Sequence, residues 1–134
     1  MSSRKSPDQP AAAPQSGARP GNPIGVSTYS FWHFEGPPRE IGECIDLAGE
    51  MGFDGVEILE VQMQRRDNAY LQSLKRRAMV AGLKLCGLSA HQGFLSPDAA
   101  VRKENIDKTV ASIELAYALG IPTVRVNTGR WGTS

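Results

Sequence analysis

Met51-Gly52-Phe53-Asp54-Gly55-Val56-Glu57-Ile58-Leu59 is the stretch on which the fold turns. Gly52 closes a helical pattern, and Gly55 to Leu59 is an apolar run too short to be a helix of its own, broken only by Glu57. The phrase therefore reads as helix end, tight turn, strand. Upstream, Arg39 to Met51 places Ile41, Cys44, Ile45, Ala48 and Met51 at helical spacing, with Glu40, Glu43, Asp46 and Glu50 on other faces. Ile24 to Tyr29 before it reads as a first strand. Downstream, Leu71, Leu74, Ala78 and Ala81 form one face of a second helix stopped by Gly82, and Leu83 to Ser89 is a third strand. Ser96-Pro97 supplies a hydroxyl cap and a proline at the first helical position of a third helix, in which Ile106, Val110, Ile113 and Tyr117 recur every three or four residues. Gly120 ends that helix, and Thr123 to Asn127 is a fourth strand.

The strand centres near Val26, Val56, Cys86 and Val124 lie about 30 to 38 residues apart, the length a helical crossover between parallel strands requires. The pattern predicts a parallel α/β sheet covered by helices. Two architectures satisfy it: an open doubly wound sheet, or a (β/α)8 barrel of roughly 250 residues, of which four strands and three helices would be the N-terminal half. Periodicity does not separate them. The first strand leads into Ser30-Phe31-Trp32-His33-Phe34 rather than a glycine-rich phosphate loop, which weakens a dinucleotide-binding reading.

Composition sets the outer bounds. The 134 residues suit one domain, and a 40% apolar fraction supports one core. A net charge of +1 gives no electrostatic case for nucleic acid or an anionic membrane. No apolar run approaches the ~20 residues of a bilayer span, so no membrane partner and a cytoplasmic location are expected. Cys44 and Cys86 lack zinc-site or disulfide-framework spacing and read as buried thiols. Residues 1–23 are set apart: 15 of the 23 are Pro, Ala, Ser or Gly, and Met1 is the only large apolar residue, so a disordered tail is expected before a folded region over 24–134.

Residues from four separate strands fall where a parallel α/β fold would place a site, at the carboxyl ends of strands. Glu57 lies in strand two, His91 just beyond strand three, Asn127 at the end of strand four, and Trp32 with His33 just beyond strand one. Each has a plainer reading. In that reading Glu57 is the ion-pair partner of a basic neighbour such as Arg125, His91 an exposed loop histidine, and Trp32 packing at the end of the barrel.

At these residues the chain resembles a family. Met51-Gly-Phe-Asp-Gly-Val-Glu57-Ile, Ile24-Gly-Val-Ser-Thr-Tyr29, Leu88-Ser-Ala-His91 and Ala118-Leu-Gly-Ile-Pro-Thr-Val124 are together similar to sugar phosphate isomerases/epimerases of the xylose isomerase-like barrel superfamily. The resemblance runs from Ile24 to Arg130 and implies the N-terminal half of a (β/α)8 TIM barrel. It further implies a divalent metal, commonly manganese, magnesium, cobalt or zinc, that holds adjacent sugar oxygens while a proton moves between carbons through an enediolate. The family's metal ligands come mostly from strands five to eight, so this chain alone is expected to bind none and to be inactive, as part of a longer enzyme. The partner implied is a small-molecule sugar or sugar phosphate. Glu57, His91, Asn127, Trp32 and His33 match rim positions that contact substrate or shape the pocket, and in related barrels a histidine at the His91 position can also bind metal. A related abasic-site endonuclease carries a histidine where this chain has Asn127. A half barrel that is not an enzyme, binding a sugar or self-associating through the open edges of strands one and four, is the alternative.

Overall fold

The computed structural model describes residues 21–32 and 36–129. Residues 1–20 of the expected tail, and His33, lie outside the described residues. Four strands run parallel in the order β1-β2-β3-β4: β1 at Gly25–Ser27, β2 at Gly55–Leu59, β3 at Lys84–Ser89 and β4 at Val124–Arg125. Between them lie α1 (Ile41–Glu50), α2 (Asn68–Val80) and α3 (Ala99–Leu119). Short 3-10 turns, Thr28–Phe31 and Glu60–Gln62, follow β1 and β2. This is a partial TIM barrel in which sequence order equals spatial order.

Each helix begins on a carboxylate and ends on the same glycine turn. Glu40, Asp67 and Asp98 accept hydrogen bonds from the amides of Glu43, Tyr70 and Ala100 at 3.1, 3.1 and 2.8 Å. An ionised cap satisfies an orphan amide and also complements the positive helix end. At the other ends, the amides of Phe53, Leu83 and Ile121 reach back to the carbonyls of Ala48, Ala78 and Ala116 at 3.1, 2.8 and 2.9 Å. That closure needs a left-handed residue in between, and Gly52, Gly82 and Gly120 supply φ of 76°, 71° and 72°. The expected Ser96-Pro97 start of α3 is displaced. Asp98 is the cap, while the Ser96 hydroxyl accepts the Asp98 amide at 3.2 Å one step earlier.

The core lies between sheet and helices. Ile41, Ile45 and Ala48 of α1, Leu71, Leu74 and Ala78 of α2, and Leu115, Ala116 and Leu119 of α3 pack against Val56, Ile58 and Leu88. The apolar stripe that recurs along α3 in the sequence is not its buried face: Ile106, Val110, Ile113 and Tyr117 are 53, 50, 53 and 87% exposed. The 21-residue α3 carries two apolar stripes. Periodicity finds both without saying which one meets the sheet. Met51 and Ala81, placed at the ends of two predicted faces, are also exposed.

β3 carries one residue more than β2. Val56 pairs with Leu85 and Glu57 with Gly87, leaving Cys86 as a bulge. The extra residue keeps Leu85 and Leu88, three apart, on the helix side, where both join the core. It also turns Cys86 to the opposite face of the sheet, beside Gly25 and Gly55. Cys86 is therefore exposed, contrary to the buried thiol expected, whereas Cys44 is buried as expected. Burial pushes the Cys44 thiol up to about 11, which keeps it protonated and inert at neutral pH.

Candidate functional site

Alternation along the strands puts Ser27, Glu57, Ser89 and Arg125 on the face of the sheet away from the helices. The register aligns Ser27 with Glu57 and Ser89 with Arg125. A buried clamp fixes the first two strand ends. The Thr28 hydroxyl donates to Gln62 Oε1 at 2.6 Å and accepts the Leu59 amide at 2.9 Å, and Gln62 Nε2 returns to the Thr28 carbonyl at 3.4 Å. Gly87, opposite Glu57, leaves room for its side chain.

On this frame the polar groups form a chain. The Ser89 hydroxyl donates a short hydrogen bond to Glu57 Oε1 and accepts one from Arg125 Nε at 3.1 Å. Arg125 Nη2 lies 2.8 Å from His91 Nε2. A guanidinium can only donate, so Nε2 is the acceptor and the ring proton sits on Nδ1. Ser27, Tyr29, Glu57, Leu59, Ser89, His91 and Arg125 line a cavity of about 330 Å3 at these strand ends. It offers a carboxylate acceptor, a guanidinium donor and hydroxyls, with Tyr29 and Leu59 as apolar contact. A larger hollow of about 710 Å3 lies on the outer layer between α1 and α2, lined by Asp46, Arg76, Arg77 and Val80, away from the strand ends.

Glu57 and His91 thus meet at one cavity. Asn127 is half-buried two residues past β4, and Trp32 is half-buried after the first 3-10 turn; neither lines that cavity. His33 falls outside the described residues. Sequence reasoning missed Ser27, Tyr29 and Ser89, and considered Arg125 only as a direct partner of Glu57. The bridging hydroxyl of Ser89 stands between those two charges. Period-two alternation from Glu57 and its register partners was the available signal.

Among the described residues, no group of three or more His, Cys, Asp or Glu side chains gathers as a metal cluster would. The donor set at the cavity does not suit a divalent cation either. The Arg125 guanidinium already occupies His91 Nε2 and approaches Glu57 through Ser89, so a second cation there would meet like charge. Nor is any helix among the described residues long and apolar enough to cross a membrane.

A parallel β/α array in which sequence order equals spatial order defines the class: a TIM-barrel protein. Residues 45–134 match the family model described as xylose isomerase-like TIM barrel, and the chain belongs to that family. Comparison with curated proteins gives no match. Among solved structures, D-psicose 3-epimerase from Clostridium cellulolyticum H10, solved with D-tagatose, is 19% identical with a TM-score of 0.67 over 78% of this chain and 37% of its own. A D-psicose 3-epimerase solved in the presence of D-fructose is 22% identical, with a TM-score of 0.68 over 84% and 40%. A xylose isomerase domain protein from Planctomyces limnophilus is 14% identical, with a TM-score of 0.60 over 84% and 44%. The chain spans about two fifths of the length of these relatives in fold.

Proposed function

We propose that this chain forms the sugar-recognising N-terminal half of a sugar isomerase or epimerase barrel. The observation that carries the reading is the Glu57–Ser89–Arg125–His91 chain lining one cavity at the strand ends. Such enzymes move a proton next to a carbonyl, and the step leaves negative charge on the oxygens of an enediolate. Arg125 brings fixed donors to that charge, so its stabilisation needs no reorganisation at the moment of reaction. Glu57 accepts a sugar hydroxyl, its orientation set by Ser89. Asn127 and Trp32, outside this cavity, are assigned to the wider rim of the complete barrel.

A divalent metal belongs to this proposal for the whole enzyme and would supply further charge stabilisation when bound. The residues of this cavity do not fit it, so no step here runs through it, and the 134-residue chain is assigned binding without turnover. The epimerase neighbours support a neutral sugar as substrate. The test is proton NMR of D-fructose with the purified chain in D2O, with and without added manganese. Line broadening of the sugar in the metal-free sample, without exchange of its carbon-bound protons in either sample, supports the reading. Exchange or interconversion with manganese contradicts the assignment of metal ligands elsewhere, and absence of any broadening contradicts sugar recognition.

A further inference from the structure

Beyond β3 the chain stays tied to the last strand at two points. The Ala90 amide donates to the Arg125 carbonyl at 3.0 Å, and the Phe94 amide to the Thr128 carbonyl at 3.2 Å. Of the three residues between, Gln92 and Gly93 are held from α3. The Gly93 amide donates to Asn105 Oδ1 at 3.1 Å. Asn105 Nδ2 donates in turn to the Val101 carbonyl at 2.9 Å, one helical turn back, which sets the side-chain amide with its oxygen toward Gly93. Ser112, seven residues further and so on the same face of the helix, meets Gln92. Gln92 is 3% exposed, and its Nε2 reaches the Ser112 hydroxyl oxygen at 3.4 Å.

His91 sits between these anchors. Its side chain is exposed, so the place of the ring depends on the backbone that carries it rather than on core packing. Nε2 of that ring meets Arg125 Nη2 at 2.8 Å, while the Ser89 hydroxyl takes Arg125 Nε at 3.1 Å. The guanidinium is thus gripped at two of its nitrogens, and one grip is only as firm as the course of the chain at residue 91. The Gly93 amide is half-buried, and a backbone N–H away from water needs a partner. Without the Asn105 oxygen the segment has to shift to find one, and His91 shifts with it.

We propose that Asn105 is a positioning residue for sugar binding: it holds Gly93 and thereby sets the His91 ring against Arg125. The role rests on the sugar-binding reading of the cavity and extends the site to a helix that does not line it. The test compares Asn105→Leu, which has no acceptor, with Asn105→Asp, which keeps one. Each is titrated with D-fructose and observed by nitrogen NMR of the His91 ring at about pH 8, above the ordinary histidine value. In the wild type and Asn105→Asp the ring is expected to carry its proton on Nδ1 and to accept at Nε2. Asn105→Leu is expected to move the ring toward a mixture of both N–H forms and to weaken D-fructose about three- to tenfold, the worth of one neutral hydrogen bond. In a His91→Ala background Asn105→Leu is expected to cost no further affinity, because its effect runs through the ring. Asn105→Ser, one bond too short to reach Gly93, takes the place of Asn105→Leu where the latter fails to fold. Ring signals unmoved by loss of the acceptor overturn the positioning role and leave the cavity's reading intact, as does a loss of affinity that persists in full without His91. A ring that moves while affinity stays the same overturns it as well. No binding of D-fructose by the wild type overturns the sugar-binding reading and the positioning role with it.

Discussion

Gly87 pairs with Glu57 across β2 and β3, and a Cβ at that glycine would come 3.2 Å from Glu57 Cγ. The contact is tighter than ordinary packing, so the missing side chain is what lets Glu57 lie toward Ser89. Gly87→Ala is expected to displace the carboxylate, weaken D-fructose binding several-fold and cost about 1 to 3 kcal/mol in overpacking. Calorimetric titration beside urea denaturation checks both effects. Unchanged affinity would mean that the position of Glu57 does not matter to binding.

Thr28 ties the first two strand ends through groups that have no access to water. Thr28→Val keeps the shape but strands Gln62 Oε1 and the Leu59 amide, with an expected loss of about 2 to 4 kcal/mol in urea unfolding, from two unsatisfied groups. Thr28→Ser, which keeps the hydroxyl, is expected to recover most of it.

The Glu40 carboxylate caps α1 and accepts the Tyr70 hydroxyl at 2.6 Å, joining α1 to α2. Partial burial raises this carboxyl, but the bonds from Tyr70 and the amides of Gly42 and Glu43, with Arg77 nearby, together bring it below its ordinary 4.5. Because the folded-state value lies below the unfolded one, its contribution is fully present above about pH 4.5 and is lost as pH falls through the depressed value. Urea midpoints measured from pH 6 to pH 3 are expected to fall less steeply in Glu40→Gln than in the wild type. Parallel curves would remove Glu40 from the acid response.

The two stripes of α3 predict opposite results for similar truncations. Leu115→Ala, on the buried stripe, is expected to cost about 2 to 5 kcal/mol. Ile113→Ala, on the stripe that is half exposed in this chain, is expected to change stability by no more than about 0.5 kcal/mol. Equal losses in urea unfolding would place both stripes in the core.

What was legible in the sequence follows from how each signal arises. β2 appears at its predicted bounds because a short apolar run between Gly55 and a polar turn leaves no other reading. The helix ends were legible at Gly52, Gly82 and Gly120, where only a left-handed residue closes the turn. The start of α3 was not, since Ser96 and Asp98 are both good caps and a local code cannot rank them. Its buried face was not legible either: two apolar stripes on one helix are resolved only by the sheet beneath. At the site, Glu57 and His91 stood out by residue type. Ser89 and Arg125 join them through register, a long-range property that the β3 bulge at Cys86 shifts by one residue.

Sugar binding by the Glu57–Ser89–Arg125–His91 chain is what the proposed function requires. Its most direct test is a titration of the isotope-labelled chain with D-fructose, observed at the Arg125 Nε–H and the His91 ring. Saturable shifts of both signals, with the His91 shift lost in Arg125→Met, are the result expected. Signals that stay fixed as D-fructose is raised to high concentration would contradict sugar binding at this chain of residues.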